Sequence, residues 1–454
     1  MKNLTALIIL IAAALFAGGC IEDSFDTSPS AQPRFSEEEA LDMGVQFTEN
    51  PSPTAELKIY NPNSKLISLR TVRFESGRYF RMNVDGRSGS EFHDVEIRPG
   101  DSIYVFIECT LPPVSGPEPQ EISDRLQVET NGVMKTLTVK ALAQNVVRHR
   151  GETITASTRL DATLPHVVFD TLRVAAGATL TLPEGTALLF HDKGALIVEG
   201  TLVSEGTAER PVIMRGDRTG NVVADISYDV MSNQWEGIRF AKGSTGNRLS
   251  HTEVLNTRQG VRLDSLTELR LENSRLYNSG GLQLDIAGDS KVTALGCEIS
   301  NAASALVRME GGDYVFDRCT LANWYLFMWP DMAIIEFSDA EKTHARFSNS
   351  IIYGRDTPVG DYDNVEEVDI WFRRCMFTVE GSDDARYLQC LWKGEPKLDY
   401  SLTEYTFDYL PAADSAVVGA ALAEFDEDGL PAADRHGRAR GLTLGCYAPA
   451  PVSD

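Results

Sequence analysis

The stretch Leu271-Glu-Asn-Ser-Arg-Leu-Tyr-Asn278 decides how this chain is read, because its pattern recurs with changed letters along residues 249 to 379. The other copies are Leu249-Ser-His-Thr-Glu-Val-Leu-Asn256, Leu295-Gly-Cys-Glu-Ile-Ser-Asn301, Phe316-Asp-Arg-Cys-Thr-Leu-Ala-Asn323, Phe347-Ser-Asn-Ser-Ile-Ile-Tyr-Gly354 and Phe372-Arg-Arg-Cys-Met-Phe-Thr-Val379. A small residue (Thr252, Ser274, Cys297, Cys319, Ser350, Cys375) is followed two places later by an apolar one (Val254, Leu276, Ile299, Leu321, Ile352, Phe377). Asn256, Asn278, Asn301 and Asn323 close the first four copies, and the steps between small residues are 22, 23, 22, 31 and 25. Apolar residues two apart at such a period mark stacked β-coils, since each strand has one face to bury and needs neighbouring coils to bury it. Helical repeats would need spacings of three and four.

Between copies runs a second strand: Gly237-Ile-Arg-Phe240, Gly260-Val-Arg-Leu263, Gly281-Leu-Gln-Leu284 and Ala305-Leu-Val-Arg-Met309. Glycine before it suits a corner at positive φ, and asparagine at the other corner tolerates left-handed backbone while its amide can bond along the stack. Trp235-Glu-Gly-Ile-Arg-Phe240, with Asn247 to Asn256 and Gly260 to Leu263, resembles the right-handed parallel β-helix of the pectate-lyase-like superfamily, and the asparagine column resembles its asparagine ladder. That superfamily holds enzymes, adhesins and passive scaffolds, so the resemblance implies a fold and not an activity.

Working outward, the coils extend back to Leu172-Arg-Val174 and Leu180-Thr-Leu182, answered 24 residues later by Leu196-Ile-Val198. Residues 221 to 232 read as a loop thrown out from the stack, and the helix is placed over 148–400. Residues 41–147 carry short alternating segments such as Leu57-Lys-Ile59, Ile103-Tyr-Val-Phe-Ile107 and Leu137-Thr-Val139, punctuated by Pro99-Gly100-Asp101 and Asn131-Gly132. These predict an antiparallel β-sandwich. Leu57-Lys-Ile-Tyr-Asn61-Pro and Ile97-Arg-Pro-Gly-Asp-Ser-Ile103 resemble Ig-like domains found ahead of bacterial surface modules, which implies a spacer. The fold expected is therefore all-β, an N-terminal Ig-like β-sandwich followed by a right-handed parallel β-helix.

The N-terminus has a targeting pattern: Lys2, an apolar run from Leu4 to Phe16, then Ala17-Gly-Gly-Cys20. The run is too short to span a bilayer. Small residues ending in cysteine resemble the lipobox of bacterial lipoproteins, which implies a signal peptide over 1–20 and acylation of Cys20. Ile21-Glu22-Asp23-Ser24-Phe25-Asp26 resembles the surface-export signal of Bacteroidota lipoproteins. Residues 21–40, rich in Ser, Pro and acids, read as a flexible tether. Residues 401–454 contain Asp434-Arg-His-Gly-Arg438 and Leu444-Gly-Cys-Tyr447, which resemble the closing segment of secreted β-helices. They are expected to form a C-terminal cap in which Arg438 ties loops to carboxylates.

Across 454 residues, 43% are apolar and acids outnumber bases by 66 to 42, a formal net charge of −24. A core is available, and the acidic balance argues against nucleic acid or an anionic membrane surface as a general partner. The six remaining cysteines fit neither a zinc motif nor a disulfide framework and read as small buried residues, with a Cys297–Cys319 bridge left open. Seven histidines show no close metal-ligand pair, so no zinc site is expected, and neither a phosphate loop nor a nucleophile elbow is present.

Two candidate sites remain. Outward residues of the second strand predict a column of Arg239, Arg262, Gln283 and Arg308, and its ends a column of Asp264, Asp285 and Glu310. Carboxylates on adjacent coils, about 5 Å apart, could hold calcium while Arg262 or Arg308 acts as the base of an uronate lyase. The preferred reading of the same residues is a solvent-facing ladder of Arg–acid pairs. The second candidate is the insertion Asn323-Trp324-Tyr-Leu-Phe-Met-Trp329-Pro-Asp. Trp324, Tyr325 and Trp329 beside Arg239, Arg262 and Arg308 would make a glycan platform. The preferred alternative there is a hydrophobic flap burying Leu326, Phe327 and Met328. The expectation is an outer-membrane, cell-surface lipoprotein, lipid-anchored, that presents its helix for binding a glycan or a surface protein, with no cofactor. A calcium-dependent lyase and a structural envelope protein are the alternatives.

Overall fold

A computed structural model describes residues 24–218, 220–223, 226–330, 332–355, 357–361 and 368–450. The chain is all-β and divides into two compact units, Met1–Asn145 and Val146–Asp454. In the first unit, Ala55–Tyr60, Ser102–Cys109, Phe80–Val84 and two shorter strands make one five-stranded sheet. Ala40–Phe47, Val133–Gln144, Gln120–Thr130, Ile67–Phe74 and Glu91–Ile97 make another. Alternation along each strand sends Leu57, Ile59, Val105 and Ile107 from one sheet, and Leu69, Val72, Val128 and Val139 from the other, into one shared core. Asn131 (φ 51°) and Gly132 (φ 76°) form the tight hairpin turn that their sequence predicts.

From Ser24 onward the predicted tether is corrected. The Asn131 side-chain amide donates to the carbonyls of Asp26, Ser28 and Ala31 at 2.9, 2.9 and 3.1 Å, and Arg34–Phe35 pairs with Tyr60 and Ile59. Polar composition alone concealed this, because the segment is held by backbone groups that any residue carries.

The second unit is a parallel β-solenoid whose coils each pass through three strand columns. The first column includes Thr171–Val174, Ala195–Val198, Gly237–Phe240, Val261–Leu263 and Leu284–Ile286. The second includes Thr179–Pro183, Thr201–Glu205, Asn247–Ser250, Glu268–Glu272 and Ser290–Leu295. The third runs from Val147–His149 to Met376–Phe377 as a 10-stranded parallel sheet. Val307–Asp317 and Ile335–Ser348 are long enough to serve the first two columns at once, which fuses them into a 16-stranded sheet. The interruption after Asp217 is a small hairpin, Asn221–Val223 with Ile226–Ser227, followed by one 3-10 turn.

Pairing puts Val254, Leu276, Ile299, Leu321, Ile352 and Phe377 at one level of the third column, all buried. Inside, Phe316, Phe347, Phe372 and Tyr387 stack at centroid distances of 4.8, 4.9 and 5.0 Å, which is why aromatic residues open the later copies of the repeat. Ala294, rather than Leu295, occupies the inward level of Leu271. Both corners work as predicted in the earlier coils, where Asn256, Asn278 and Asn301 take φ of 63°, 63° and 53° and Asn278 Nδ2 donates to Asn256 Oδ1 at 3.0 Å, while Asn323 and Gly281 do not take positive φ. Gly237 (φ 112°) and Gly260 (φ 65°) stack so closely that a Cβ on Gly237 would lie 2.1 Å from the Gly260 carbonyl oxygen. All six cysteines from Cys109 onward are free thiols.

The C-terminal residues do not cap the solenoid end as expected. They run as a strap along the outward face of the third column, where Phe407, Tyr409, Leu444 and Tyr447 cover Tyr277, Ala322, Ile351 and Met376. Arg318 donates to Asp426 at 2.7 and 2.9 Å, and Arg440 Nη2 to Asn273 Oδ1 at 2.6 Å. Arg438 stays within the strap, paired with Asp434 at 3.2 Å. Tyr387 and Trp392 lie instead over Phe372 and Phe377 of the last coils, at 5.0 and 4.8 Å.

Candidate functional site

On the first column the side chains that share one outward level are Arg239, Arg262, Asp285, Arg308 and Glu336. The expected place of Gln283 in this column is corrected: it is fully buried, and Asp285 takes the level. Leu282-Gln-Leu284-Asp-Ile286 alternates in either alignment, so a slip of two residues keeps the faces and changes only the partner. One residue past the paired ends Leu263, Ile286 and Met309 come Asp264, Ala287 and Glu310. The three predicted carboxylates therefore do not form a column. Among the described residues no group of three His, Cys, Asp or Glu side chains is placed to hold a metal ion, which removes Asp264, Asp285 and Glu310 as a calcium set.

The carboxylates are engaged by arginine instead. Arg239 donates to Asp264 Oδ2 from Nε at 3.0 Å and from Nη2 at 2.7 Å, and Arg262 Nε lies 3.6 Å from Asp264 Oδ1. Arg308 meets Asp285 Oδ1 at 2.8 Å through Nε and 2.7 Å through Nη2. The hydrogen bond to Asp264 raises the Arg239 pKa further. Asp264 and Asp285 are thus each paired with an arginine of a neighbouring coil, an Arg–acid ladder over these two positions that leaves Arg262 and Arg308 as cations tied to carboxylates.

The insertion after Asn323 is different. Tyr325 is buried, its hydroxyl 2.7 Å from Ser232 Oγ, so it anchors the loop and is removed from the predicted ligand-contacting set. Leu326 is partly buried, but Phe327, Met328 and Trp329 are 51%, 56% and 69% exposed, which corrects the flap reading. Trp324 is partly buried, with its ring 4.8 Å from Tyr400 and 5.3 Å from Tyr353. The Arg355 guanidinium carbon lies 5.2 Å from the Trp324 ring and 4.9 Å from the Trp329 ring, within cation–π reach of both indoles. The result is a shelf of two tryptophans joined by one cation, on a base fixed by Tyr325, Tyr353 and Tyr400.

Arg355 and Tyr400 were not picked out from the sequence. Arg355 had a signal: Asn323 pairs with Gly354, so the residue after each, Trp324 and Arg355, falls on neighbouring coils at the same level. Tyr400 had none, since it comes from the strap. Cys20 and Ile21 to Asp23 lie outside the described residues.

No protein-family model matches the sequence, and no curated protein matches it either. A solved structure, described as that of a family 123 glycoside hydrolase from Clostridium perfringens in a study of glycolipid glycan hydrolysis, aligns at 8% identity with a TM-score of 0.18. The alignment covers 25% of this chain and 26% of that one, so the chain matches only about a quarter of that protein's length, and the likeness carries no argument about function.

Proposed function

We propose that the chain is a lipid-anchored outer-membrane protein, displayed at the cell surface, whose solenoid binds glycans without catalysis. We read the first unit as an Ig-like spacer and the second as a right-handed β-helix of the pectate-lyase-like kind. The observation that carries the binding reading is the placement of Arg355 between Trp324 and Trp329, with Trp329 69% exposed. Aromatic rings stack on the apolar faces of sugars, and a guanidinium held between them donates to hydroxyls or carboxylates without first having to be ordered.

The lyase alternative is not carried forward, because Asp264 and Asp285 are paired with arginines and Glu310 does not share a column with Asp285. The test is a glycan array followed by titration of the full chain. Trp329→Ala is expected to weaken the bound glycan about ten-fold or more, and Arg355→Ala by a similar factor. Absence of binding across neutral and acidic glycans, or full affinity in both variants, would reject the shelf.

A further inference from the structure

We propose a second glycan site on another face of the solenoid: the outward surface of the second column binds a neutral, hydroxyl-rich glycan chain. Pairing sets Asp313, His344 and Asp369 at one level on three successive coils, and Val315, Arg346 and Trp371 at the next. Two depressions, of about 740 and 260 Å³, share Asp313 and His344 and so join into one trough across the coils. The larger reaches back to Lys291 and Glu268, and the smaller forward to Trp371.

One carboxylate organises the far end. Asp369 Oδ2 lies 3.0 Å from His344 Nδ1, and Asp369 Oδ1 accepts the Trp371 Nε1–H at 2.5 Å. Both rings are thereby held before any ligand arrives, which lowers the ordering cost of binding. The Trp371 N–H first, and His344 after it, hold the Asp369 carboxyl below its ordinary range, so it stays an acceptor. Trp371 is partly exposed, and the His344 side chain is 57% exposed.

The order of groups along the trough selects the ligand. Pairing gives Glu268, Lys291, Asp313, His344 and Asp369 in sequence at one level, acceptors alternating with nitrogen-bearing groups. They repeat at the strand spacing, about 4.8 Å, close to the length of one hexose in an extended chain. Sugar hydroxyls both donate and accept, so a neutral glycan satisfies every step. The acids Glu268, Asp289, Asp313, Glu341 and Asp369 are interspersed with the cations Lys291, Lys342, Arg346 and Arg373, so neither sign of charge prevails to draw in a polyion, and an apolar ligand would strip water from all of these charges. Trp371 supplies a stacking surface.

This site is independent of the aromatic shelf, and the experiment separates the two. The full chain carrying Trp329→Ala, which disables the shelf, is titrated calorimetrically with hexasaccharides of glucose, mannose, galactose and xylose, and with hexagalacturonate. At least one neutral hexasaccharide is expected to bind, and adding Trp371→Ala is expected to weaken it about ten-fold or more. His344→Ala, at an exposed position, repeats the test should the tryptophan variant fold poorly. No neutral binding, tighter binding of hexagalacturonate than of every neutral chain, or unchanged affinity in both added variants would overturn the proposal.

Discussion

Asp317 is fully buried and sits beside Arg318, Asp426 and Glu427; its Oδ2 accepts the Glu427 N–H at 2.8 Å. Burial is the largest cause that pushes its pKa up to about 7, with the Glu427 N–H opposing. The folded protein thus keeps a proton that the unfolded chain releases near its ordinary value of 3.8. The stabilisation from this group is present in full below pH 4 and is lost as pH rises through about 7. Asp317→Asn is expected to remove that slope and to stabilise the protein at pH 8 by about 1–3 kcal/mol, read from urea denaturation at pH 5 and pH 8. Gly260 is a second decisive residue. A Cβ there would lie 2.3 Å from the carbonyl oxygens of Leu282 and Gln283, at a φ of 65°. Gly260→Ala is expected to cost about 2–4 kcal/mol, seen as a lower denaturation midpoint.

Among the elements, the strap along the third column is fastened by buried polar groups. Glu298 is fully buried and accepts from Arg275 Nε at 2.8 Å, from Ser300 Oγ at 2.5 Å and from the Tyr447 hydroxyl of the strap. Arg275 also donates to the Phe407 carbonyl oxygen at 2.6 Å. Glu298→Ala strands the Arg275 cation and leaves Tyr447 without its acceptor, so a loss of about 3–5 kcal/mol in urea denaturation is expected. A chain ending at residue 397 would expose Tyr277, Ala322, Ile351 and Met376, and is expected to self-associate in size-exclusion chromatography where the full chain does not. The strand pattern was legible at this scale: six apolar residues spaced through the repeat fall on one level. The alignment of 282–286 was not, because a two-residue slip leaves every side chain on its own face.

For the whole molecule, a net charge of −24 and two compact units with separate cores suit a body held in solvent. The proposed anchor at Cys20 gives a direct expectation. Cys20→Ser should abolish incorporation of labelled palmitate and move the chain from the membrane fraction to the soluble one, since several acyl chains on one residue supply the hold. Surface display is read by protease access to intact cells.

Local pattern by itself determined the coil length, the inward apolar column, the asparagine and glycine corners, and the predominance of strands. Each depends on neighbours two residues apart or one coil away, a relation that the repeat writes directly into the chain. Only the tertiary structure decided the path of the strap, the ordering of residues 24–40 and the setting of Arg355 between two tryptophans. Arg318 and Asp426 are 108 residues apart, and Arg275 and Phe407 are 132 apart. No periodicity connects such partners, because they meet through non-repeating segments whose positions follow from packing and hydrogen bonding in the folded chain.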